Sequence, residues 1–556
     1  MARSTTKVRC TACSPLCAGA PRRRSSRVST HEILSASEKT ELVNVGPSAQ
    51  NSLLSARQSS IAMTTHADIA TPAFVSGSKR LLIGGEWQPA ASGQEFDTLN
   101  PATGEVIARL GKGDKTDVDR AVAAARKAFE GEWSKWTPYD RQRLLLRVHD
   151  LVEKHFDELA LIETLDMGAP LARTRALKAW ASQVILFYAS HTGAGGVETA
   201  RNSLPGNFTT FKLKAPVGVV GGIIPWNAPL ISQWWILGPT LATGCTAVLK
   251  PAEDASLTSL RMAELLLEAG LPPGVLNVVT GYGAQAGSAL AEHPDVDRLA
   301  FTGSPETGRR ILQASTGNLK RVSLELGGKS PDIVFADANL DLAVPGAGMG
   351  VYANTGQICA AGTRLLVQRR IHDEFVERLK AFSRTLRIGN GLDPQVQLGP
   401  VISSRQLDRV MKYVDIGARE GAQLASGGKR LGGDLASGFF VEPTIFAGVN
   451  NDMAIAREEI FGPVASIIPF DSMEEALHIA NDTPFGLAGG VWTQNVATAH
   501  KVAHGIKAGT IWVNCYGALD PQVGFGGYKL SGYGWKGGPE HVDSYLYQKA
   551  VYMNLG

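Results

Sequence analysis

The sequence has few cysteines, and their spacing excludes a disulfide framework. Six occur in 556 residues. They are Cys10, Cys13, Cys17, Cys245, Cys359 and Cys515. The last three are far apart, so a reducing compartment fits best. The first three resemble half of a metal site, but no second Cys or His pair follows at a usable spacing. We therefore predict no metal site.

The chain also has little net charge. The formal net charge is +3, and charged residues make up 19% of the chain. A nucleic-acid-binding protein would be expected to show a concentrated basic stripe, and the body of this sequence has none. We predict no nucleic-acid partner.

One long segment lacks charge altogether. No charged residue occurs between Lys214 and Lys250, but the segment contains four prolines, Asn227, Gln233 and several glycines. A membrane helix does not usually tolerate all of these together. A buried strand, loop and helix of a parallel sheet explain the segment better, so we predict no membrane partner.

The N-terminal segment differs in composition from the rest. Residues 1 to about 78 are rich in Ser, Ala, Thr and Arg, and seven Lys or Arg residues precede the first acidic residue, Glu32. This composition is typical of an organellar transit peptide. Alternatively, translation starts at Met63 and the upstream segment is a mistranslated leader. We predict a disordered tail over 1–78 and a cytoplasmic protein, or a mitochondrial or other organelle matrix protein if residues 1–62 are a transit peptide.

The remaining chain is long enough for two large cores and has an α/β pattern. From about residue 215, strands alternate with helices, which predicts a parallel sheet with helices on both faces. Ligands bind such sheets at the carboxyl ends of their strands. The predicted elements include helices over Asp117–Phe129, Arg141–Leu165, Leu230–Ala242 and Ala284–Glu292, and strands over Asn207–Lys214 and Val542–Asn554.

Three residues carry groups suited to acyl chemistry. Cys359 lies in the glycine-rich run Gly356-Gln-Ile-Cys-Ala-Ala-Gly, although a single Cys is more often a small buried hydrophobe. Glu325 ends an apolar strand, where it is either a salt-bridged carboxylate or a desolvated base. Asn227, in Ile223-Ile-Pro-Trp-Asn, is either a turn residue or an amide donor for a developing oxyanion.

Two further motifs follow strands and suit a dinucleotide. In Lys250-Pro-Ala-Glu253, the carboxylate could accept hydrogen bonds from a ribose 2′-hydroxyl and would repel a 2′-phosphate. In Phe301-Thr-Gly-Ser-Pro, free N–H groups at a helix start could hold a pyrophosphate. Each motif alone is weak evidence.

Together with Glu459-Ile-Phe-Gly-Pro-Val, these motifs occur in an order that resembles the signature series of the aldehyde dehydrogenase superfamily. The resemblance covers about residues 80–555. It implies an NAD-binding domain (80–195 and 215–327), an α/β catalytic domain (328–535) and a small β oligomerisation arm (196–214 and 541–555). It also implies NAD as cofactor, an aldehyde as substrate and a homodimer or homotetramer.

The resemblance implies roles for individual residues. Cys359 would be the nucleophile, Glu325 the general base, and Asn227 with the Cys359 backbone N–H the oxyanion hole. The presence of Glu325 favours hydrolysis to a free acid over transfer to CoA, and Glu253 favours NAD over NADP. A non-catalytic member of the family should have lost the nucleophile or the base. The implied cofactor-binding residues are Ile224, Trp226, Lys250, Glu253, Gly283, Gly303, Ser304, Glu459 and Phe461.

The sequence departs from the family pattern near the general base. Many relatives have a Lys where this chain has Ile236 and a Glu where it has Lys536. We hypothesise that Lys536 lies near Glu325 and compensates for the lost Lys. The alternative is a surface lysine with a water-based proton exit.

The substrate tunnel also differs from that of many relatives. Ala228 replaces a frequent aromatic residue, and Leu519 replaces a larger or charged one, while Trp235 and Phe525 remain. We predict a roomy apolar tunnel at these four residues that favours bulky aromatic, terpenoid or medium-chain aldehydes over small polar ones.

Overall fold

The computed structural model describes residues 71–556, so the predictions for residues 1–70 lie outside the described residues. The predicted end of the tail at residue 78 is wrong. Ala73–Val75 form a short 3₁₀ helix, and Val75 is buried in the main hydrophobic core. Ser78–Lys79 form a strand that pairs with Val106–Gly111. Apolar residues just before 80 therefore anchor the start of the folded body.

The strands of residues 71–556 form four sheets. An eight-stranded sheet has the order β20-β12-β11-β8-β9-β10-β2-β3, and a seven-stranded sheet has the order β15-β16-β17-β14-β13-β18-β19. Two three-stranded sheets have the orders β1-β5-β4 and β21-β7-β6. The strands are β1 (Ser78–Lys79), β2 (Leu81–Ile83), β3 (Glu86–Gln88), β4 (Glu95–Leu99), β5 (Val106–Gly111), β6 (Gly196–Thr199), β7 (Phe208–Pro216), β8 (Val219–Ile223), β9 (Thr246–Lys250), β10 (Leu276–Val278), β11 (Arg298–Gly303), β12 (Arg321–Leu326), β13 (Pro331–Val334), β14 (Arg364–Gln368), β15 (Gln423–Ser426), β16 (Thr444–Ala447), β17 (Val464–Phe470), β18 (Ala488–Trp492), β19 (Thr510–Val513), β20 (Gly532–Tyr533) and β21 (Leu546–Asn554).

The α-helices alternate with these strands, as the sequence predicts for an α/β fold. Between β5 and β6 lie α1 (Lys115–Glu130), α2 (Pro138–Lys154), α3 (Phe156–Met167), α4 (Leu171–Ala176) and α5 (Lys178–Ser190), and the remaining helices are α6 (Pro229–Ser232), α7 (Trp234–Thr243), α8 (Leu257–Glu268), α9 (Ser288–Glu292), α10 (Pro305–Ala314), α11 (Leu340–Tyr352), α12 (His372–Thr385), α13 (Ser404–Arg419), α14 (Ala454–Arg457), α15 (Met473–Asn481), α16 (Val496–Gly505) and α17 (Gly538–Asp543).

Local packing explains the first helix. Asp114 caps α1 through a reciprocal pair of hydrogen bonds with Asp117, which satisfies two N–H groups at the helix start. The predicted apolar stripe is confirmed, because Val118, Ala121 and Ala125 are all buried. In the residues that the structure describes, no helix is long and apolar enough to cross a membrane.

Several predicted elements need correction. The single helix predicted over Arg141–Leu165 is two helices separated at His155, and the helix predicted over Leu230–Ala242 divides at Gln233. The first part of Ala284–Glu292 is a π-helical turn, Gly283–Gly287, rather than α-helix. Apolar periodicity continues across such breaks, so it does not reveal them.

The eight-stranded sheet brings the candidate motifs to one edge. Its five central strands, from β12 to β10, are mutually parallel. Asn227 follows β8, Lys250 ends β9, Gly303 ends β11, and Glu325 is the penultimate residue of β12. The carboxyl ends of these strands therefore gather the residues that the sequence singles out.

The C-terminal strand joins an antiparallel sheet with β7. The two strands pair along their length, from Leu546 opposite Pro216 to Asn554 opposite Phe208. The strand predicted over Val542–Asn554 starts too early, because α17 extends to Asp543. In addition, β20 lies in the range assigned to the catalytic domain but pairs with β12 of the eight-stranded sheet.

Helix α7 packs closely against α5 through a glycine. A Cβ built on Gly238 would lie 2.0 Å from the Tyr188 ring, which is itself fully buried. The glycine therefore lets the aromatic ring lie directly on the α7 backbone. Because α7 carries Trp235, this contact also fixes one wall of the candidate tunnel.

We expect Gly238→Ala to destabilise the protein by about 1–3 kcal/mol, the usual cost of overpacking a core. Gly317→Ala is the matched control, because a Cβ there meets nothing within 4 Å, and we expect a change within about 0.5 kcal/mol. Thermal and denaturant unfolding of both variants measures the difference. Equal stabilities would contradict the packing role assigned to Gly238.

Candidate active site

A cavity of about 1200 Å³ opens at the strand-end edge of the eight-stranded sheet. It is larger than the roughly 300–1,000 Å³ usual for one small ligand, so it has room for two. Cys359, Glu325 and Asn227 all line it. The structure thus brings together the three residues that the sequence predicts for acyl chemistry.

Cys359 lies on a loop with an unusual backbone. Asn354, Thr355 and Gly356 all have positive φ, at 54°, 56° and 74°. The first two are not glycines, so the surrounding structure must hold this strained conformation. A Cβ on Gly356 would lie 2.1 Å from the Gly462 carbonyl, which leaves room only for glycine. The loop is thereby pressed against the segment that carries Phe461.

The thiol of Cys359 lies in a site that disfavours its ionised form. Burial is the main cause that raises its pKa well above the usual range, and the negative charge of Glu325 raises the pKa further. Lys536 acts in the opposite direction. The thiolate therefore depends on nearby charges, which ligands and protonation can change.

Asn227 is held against the same loop. Its side-chain Nδ2 donates to the Gln357 carbonyl at 2.9 Å, and Asn354 Nδ2 donates to the Asn227 carbonyl at 3.0 Å. Gln357 is itself buried and accepts from the Ile402 N–H at 2.9 Å. Sequence reasoning missed Asn354 and Gln357, because nothing but their proximity to Cys359 signals a role.

Glu325 points into the cavity with one oxygen bound and one without a partner. Its Oε2 lies 3.4 Å from the Lys536 Nζ, while no described residue hydrogen-bonds its Oε1. The hypothesis that Lys536 lies near Glu325 is confirmed. The alternative of a surface lysine is wrong, because the Lys536 side chain is only 14% exposed.

Ile236 is the other departure from the family pattern, and its side chain carries no charge. Ile236 is buried in the main core, where its side chain packs against Gly222 of β8. It does not belong to the cavity lining of the described region. Among the described residues, Lys536 is thus the lysine that lies beside Glu325.

One end of the cavity is suited to a nicotinamide and its ribose. Trp226 and Phe461 meet edge to face, with ring centroids 5.2 Å apart. The Glu459 carboxyl accepts from the Gly328 N–H at 3.1 Å, and burial raises its pKa to about 7. Gly303 and Ser304 also line the cavity, and the Ser304 side chain caps α10 by accepting from the Thr307 N–H. The first turn of α10 can hold an anion.

Four of the predicted cofactor residues lie outside the cavity lining in the described part of the chain. Lys250 and Glu253 nevertheless form an ion pair at 2.9 Å, and the Ile224 N–H donates to the Lys250 carbonyl at 3.2 Å. Gly283 begins the π-helical turn, where a Cβ would meet nothing within 4 Å. Lys250, Glu253 and Ile224 are thus linked by hydrogen bonds at the carboxyl ends of β8 and β9.

These donors and acceptors fit a dinucleotide. The Glu253 carboxylate can accept from a ribose hydroxyl, the α10 N-terminus can hold a pyrophosphate, and Glu459 can accept from a second ribose. Arg409, which the sequence does not reveal, orders the Glu459 loop by donating to the carbonyls of Glu459 and Ile460.

The other end of the cavity is mainly apolar. All four predicted tunnel residues, Ala228, Trp235, Leu519 and Phe525, line it. Trp180 adds a ring that meets Trp235 edge to face, with centroids 5.1 Å apart. The remaining substrate-side lining includes Leu177, Ile231, Met349 and Trp512.

Tyr516 supports the loop that carries Cys359 and was missed by sequence reasoning. Its hydroxyl donates to the Ala360 carbonyl at 2.7 Å, and its ring packs at a tilt against Trp512 with centroids 4.6 Å apart. Asn514, two residues earlier, has a positive φ of 52°. The sequence offers no signal beyond an aromatic residue near Leu519.

Comparison with known proteins agrees with this geometry. The family model described as the aldehyde dehydrogenase family matches residues 87–551. The chain is 47% identical to aldehyde dehydrogenase family 2 member B4, mitochondrial, from Arabidopsis thaliana, over 88% of this chain and 90% of that protein. It is 45% identical to the mitochondrial benzaldehyde dehydrogenase of Antirrhinum majus, over 86% of this chain and 89% of that protein.

A solved structure shares the fold at similar identity. Betaine aldehyde dehydrogenase from Staphylococcus aureus, in complex with NAD⁺, superposes with a TM-score of 0.84 at 40% identity. The match covers 86% of this chain and 97% of that one. The family match spans nearly the whole of the described region, and the chain therefore belongs to the aldehyde dehydrogenase family.

Proposed function

We propose that this protein oxidises an aldehyde to the free carboxylic acid through a thioester on Cys359. As a member of its family it is an NAD-dependent oxidoreductase. The observation that carries the assignment of residues is the convergence of Cys359, Glu325 and Asn227 in one cavity with a dinucleotide-compatible end.

The first half of the reaction uses Cys359 and Asn227. The thiolate attacks the carbonyl carbon, a C–S bond forms, and the carbonyl π electrons move to oxygen. The Asn227 Nδ2 and the Cys359 backbone N–H stabilise this oxyanion, and loss of one such donor typically costs about 3–4 kcal/mol. NAD held by Trp226, Phe461 and Glu459 would supply the hydride acceptor. Loss of the hydride re-forms the carbonyl and leaves a thioester on Cys359.

The second half uses Glu325. Its carboxylate takes a proton from a water molecule as the water oxygen attacks the thioester carbon. A C–O bond forms, the C–S bond breaks, and the thiolate leaves as the acid is released. The proton then passes from Glu325 to solvent. The free Oε1 of Glu325 is the oxygen available for this transfer.

Charge supports NAD over its 2′-phosphorylated form. Glu253 is a carboxylate whose pKa is lowered by Lys250, despite the opposing effect of burial, so it stays ionised at neutral pH. An ionised carboxylate accepts hydrogen bonds from a 2′-hydroxyl and repels a 2′-phosphate.

The substrate is, in this proposal, a bulky apolar aldehyde. Tryptophan, phenylalanine and aliphatic side chains dominate the substrate-side lining, and Ala228 leaves space where a larger residue would close it. Similarity to a benzaldehyde dehydrogenase supports this choice, while similarity to a betaine aldehyde dehydrogenase provides the competing one.

The β21-β7-β6 sheet supports an oligomer. Val197, Tyr547, Tyr552 and Met553 are exposed on its strands, and both of its outer strands present free edges. Exposed apolar edges of this kind pair with another chain. We therefore propose a homodimer or homotetramer that uses this arm. The cellular location, cytoplasm or organelle matrix, stays a prediction.

The proposal predicts NADH formation with a specific order of substrates. Purified protein with NAD should give higher kcat/KM for benzaldehyde and octanal than for glycolaldehyde and betaine aldehyde, because apolar contact area determines affinity in this tunnel. NADH absorbance measures each rate. A clear preference for betaine aldehyde would overturn the substrate assignment while leaving the reaction intact.

Substitution of the nucleophile provides the control. Cys359→Ser should abolish NADH formation with every aldehyde, since an alcohol is a far weaker nucleophile than a thiolate. Cys515→Ser is the matched variant, because Cys515 is exposed and lies outside the described cavity lining, and it should retain activity. Activity in the Cys359→Ser variant would refute the proposed nucleophile.

The charge of Glu325 should be visible in the reactivity of Cys359. Because this carboxylate raises the thiol pKa, Glu325→Gln should lower it and move alkylation of Cys359 by iodoacetamide to lower pH. Alkylation is followed by mass spectrometry of the Cys359 peptide, so that exposed Cys515 does not interfere. Unchanged or more alkaline reactivity would show that the carboxylate does not act on the thiol.

A further inference from the structure

Lys536 is held at a fixed position relative to Glu325 by the backbone. The N–H of Lys536 donates to the Phe525 carbonyl at 2.7 Å, and the Phe525 N–H donates back to the Lys536 carbonyl at 2.8 Å. Just before it, Gly532 of β20 pairs with Glu325 itself. Two sets of main-chain hydrogen bonds therefore fix where the Lys536 side chain begins.

The ammonium group joins two neighbouring strands. Thr302 of β11 lies directly opposite Glu325 of β12 in the parallel ladder. The Lys536 Nζ donates to the Thr302 Oγ1 and lies 3.4 Å from the Glu325 Oε2. Both contacts are largely shielded, because the side chains of Lys536 and Glu325 are 14% and 6% exposed. Salt screens a shielded pair of this kind weakly.

We propose that Lys536 is a positioning residue, which anchors the Glu325 carboxylate through Oε2 and so leaves Oε1 as the oxygen that receives the proton from water. This inference rests on the proposed function, in which Glu325 is the general base. It explains why one carboxylate oxygen is bound to a cation while the other is buried without a partner in the described region. Without the contact to Lys536, the Glu325 side chain would be free to turn away from the thioester. Hydrolysis of the thioester would then slow.

The remaining charges around this pair are few. Glu459 and the Cys359 thiol both interact electrostatically with Glu325, and both are negative when ionised. Behind Lys536, His541 accepts from the Gly537 N–H at 3.1 Å. Burial, Arg298 and Lys536 keep the pKa of His541 well below its usual range, so it stays neutral. Lys536 thus supplies the positive charge in direct contact with Glu325.

The test follows hydrolysis of an acyl enzyme formed without aldehyde or NAD. 4-Nitrophenyl acetate acetylates the Cys359 thiolate and releases 4-nitrophenolate, and water then removes the acetyl group. Mass spectrometry of the Cys359 peptide measures the loss of the acetyl group over time. The variants are Lys536→Gln, Lys536→Arg, Glu325→Gln and the double variant, with Lys501→Gln as control. Lys501 is exposed on α16 and lies outside the described cavity lining.

We expect Lys536→Gln to slow deacetylation about ten- to a hundredfold, the usual effect of misplacing a reacting group by about 1 Å. Lys536→Arg should restore most of the rate, and Lys501→Gln should match the wild type. In the Glu325→Gln background, adding Lys536→Gln should cause no further loss.

The outcomes separate this inference from the proposed function. If Lys536→Gln deacetylates at the wild-type rate, or slows the reaction equally when Glu325 is already Gln, Lys536 does not act through Glu325 and the inference is overturned. If the wild type oxidises no aldehyde but shows the expected deacetylation pattern, the proposed function fails and the positioning role stands. Absence of acetylation at Cys359 would contradict both.

Discussion

The register of the parallel strands in the eight-stranded sheet determines where Glu325, Thr302 and the other candidate groups of that sheet lie. β8, β9, β11 and β12 run in the same direction, so the residues at their carboxyl ends meet at one edge. The ladder between β11 and β12 places Thr302 exactly beside Glu325, and β20 adds Gly532 on the other side of Glu325. A shift of one residue in this register would turn the Glu325 side chain to the opposite face of the sheet. The position of the Glu325 carboxylate therefore depends on main-chain hydrogen bonds between strands as much as on the side chains around it.

The cavity also holds ionisable groups whose negative charges repel one another. A thiol that must ionise lies beside two carboxyl groups, and burial weakens the solvation of all three. Lys536 offsets part of the electrostatic cost of ionising the thiol. The neutral His541 behind it adds no further positive charge. The positive charge of Lys536 lies in direct contact with the Glu325 carboxylate.

Much of this arrangement could be predicted from the sequence because it is local. Glu325 and Asn227 lie in short motifs at the carboxyl ends of strands, and the alternation of strands and helices places these two at one edge. Cys359 lies in a glycine-rich motif that follows helix α11. The tunnel residues follow from the resemblance to the family. The apolar stripe of α1 is likewise read directly from its periodicity.

Other features depend on contacts between distant segments, which the sequence does not display. The anchoring of Val75 in the core, the break at His155 and the turn at Gly283 all depend on packing. Asn354, Gln357 and Tyr516 act through hydrogen bonds to backbone carbonyls, which many residue types could form. The proximity of Lys536 to Glu325 could be hypothesised from a departure in a motif, but only the pairing of Lys536 with Phe525 explains how it is held there.

In the proposed reaction, Cys359 carries the acyl group between oxidation and hydrolysis. Rapid acid quenching of Glu325→Gln protein mixed with NAD and benzaldehyde, followed by peptide mass spectrometry, tests it most directly. The account predicts that the Cys359 peptide gains the mass of the aldehyde less two hydrogen atoms, while wild-type protein accumulates much less of this adduct. NADH formation without any adduct on Cys359 in the variant would contradict the account.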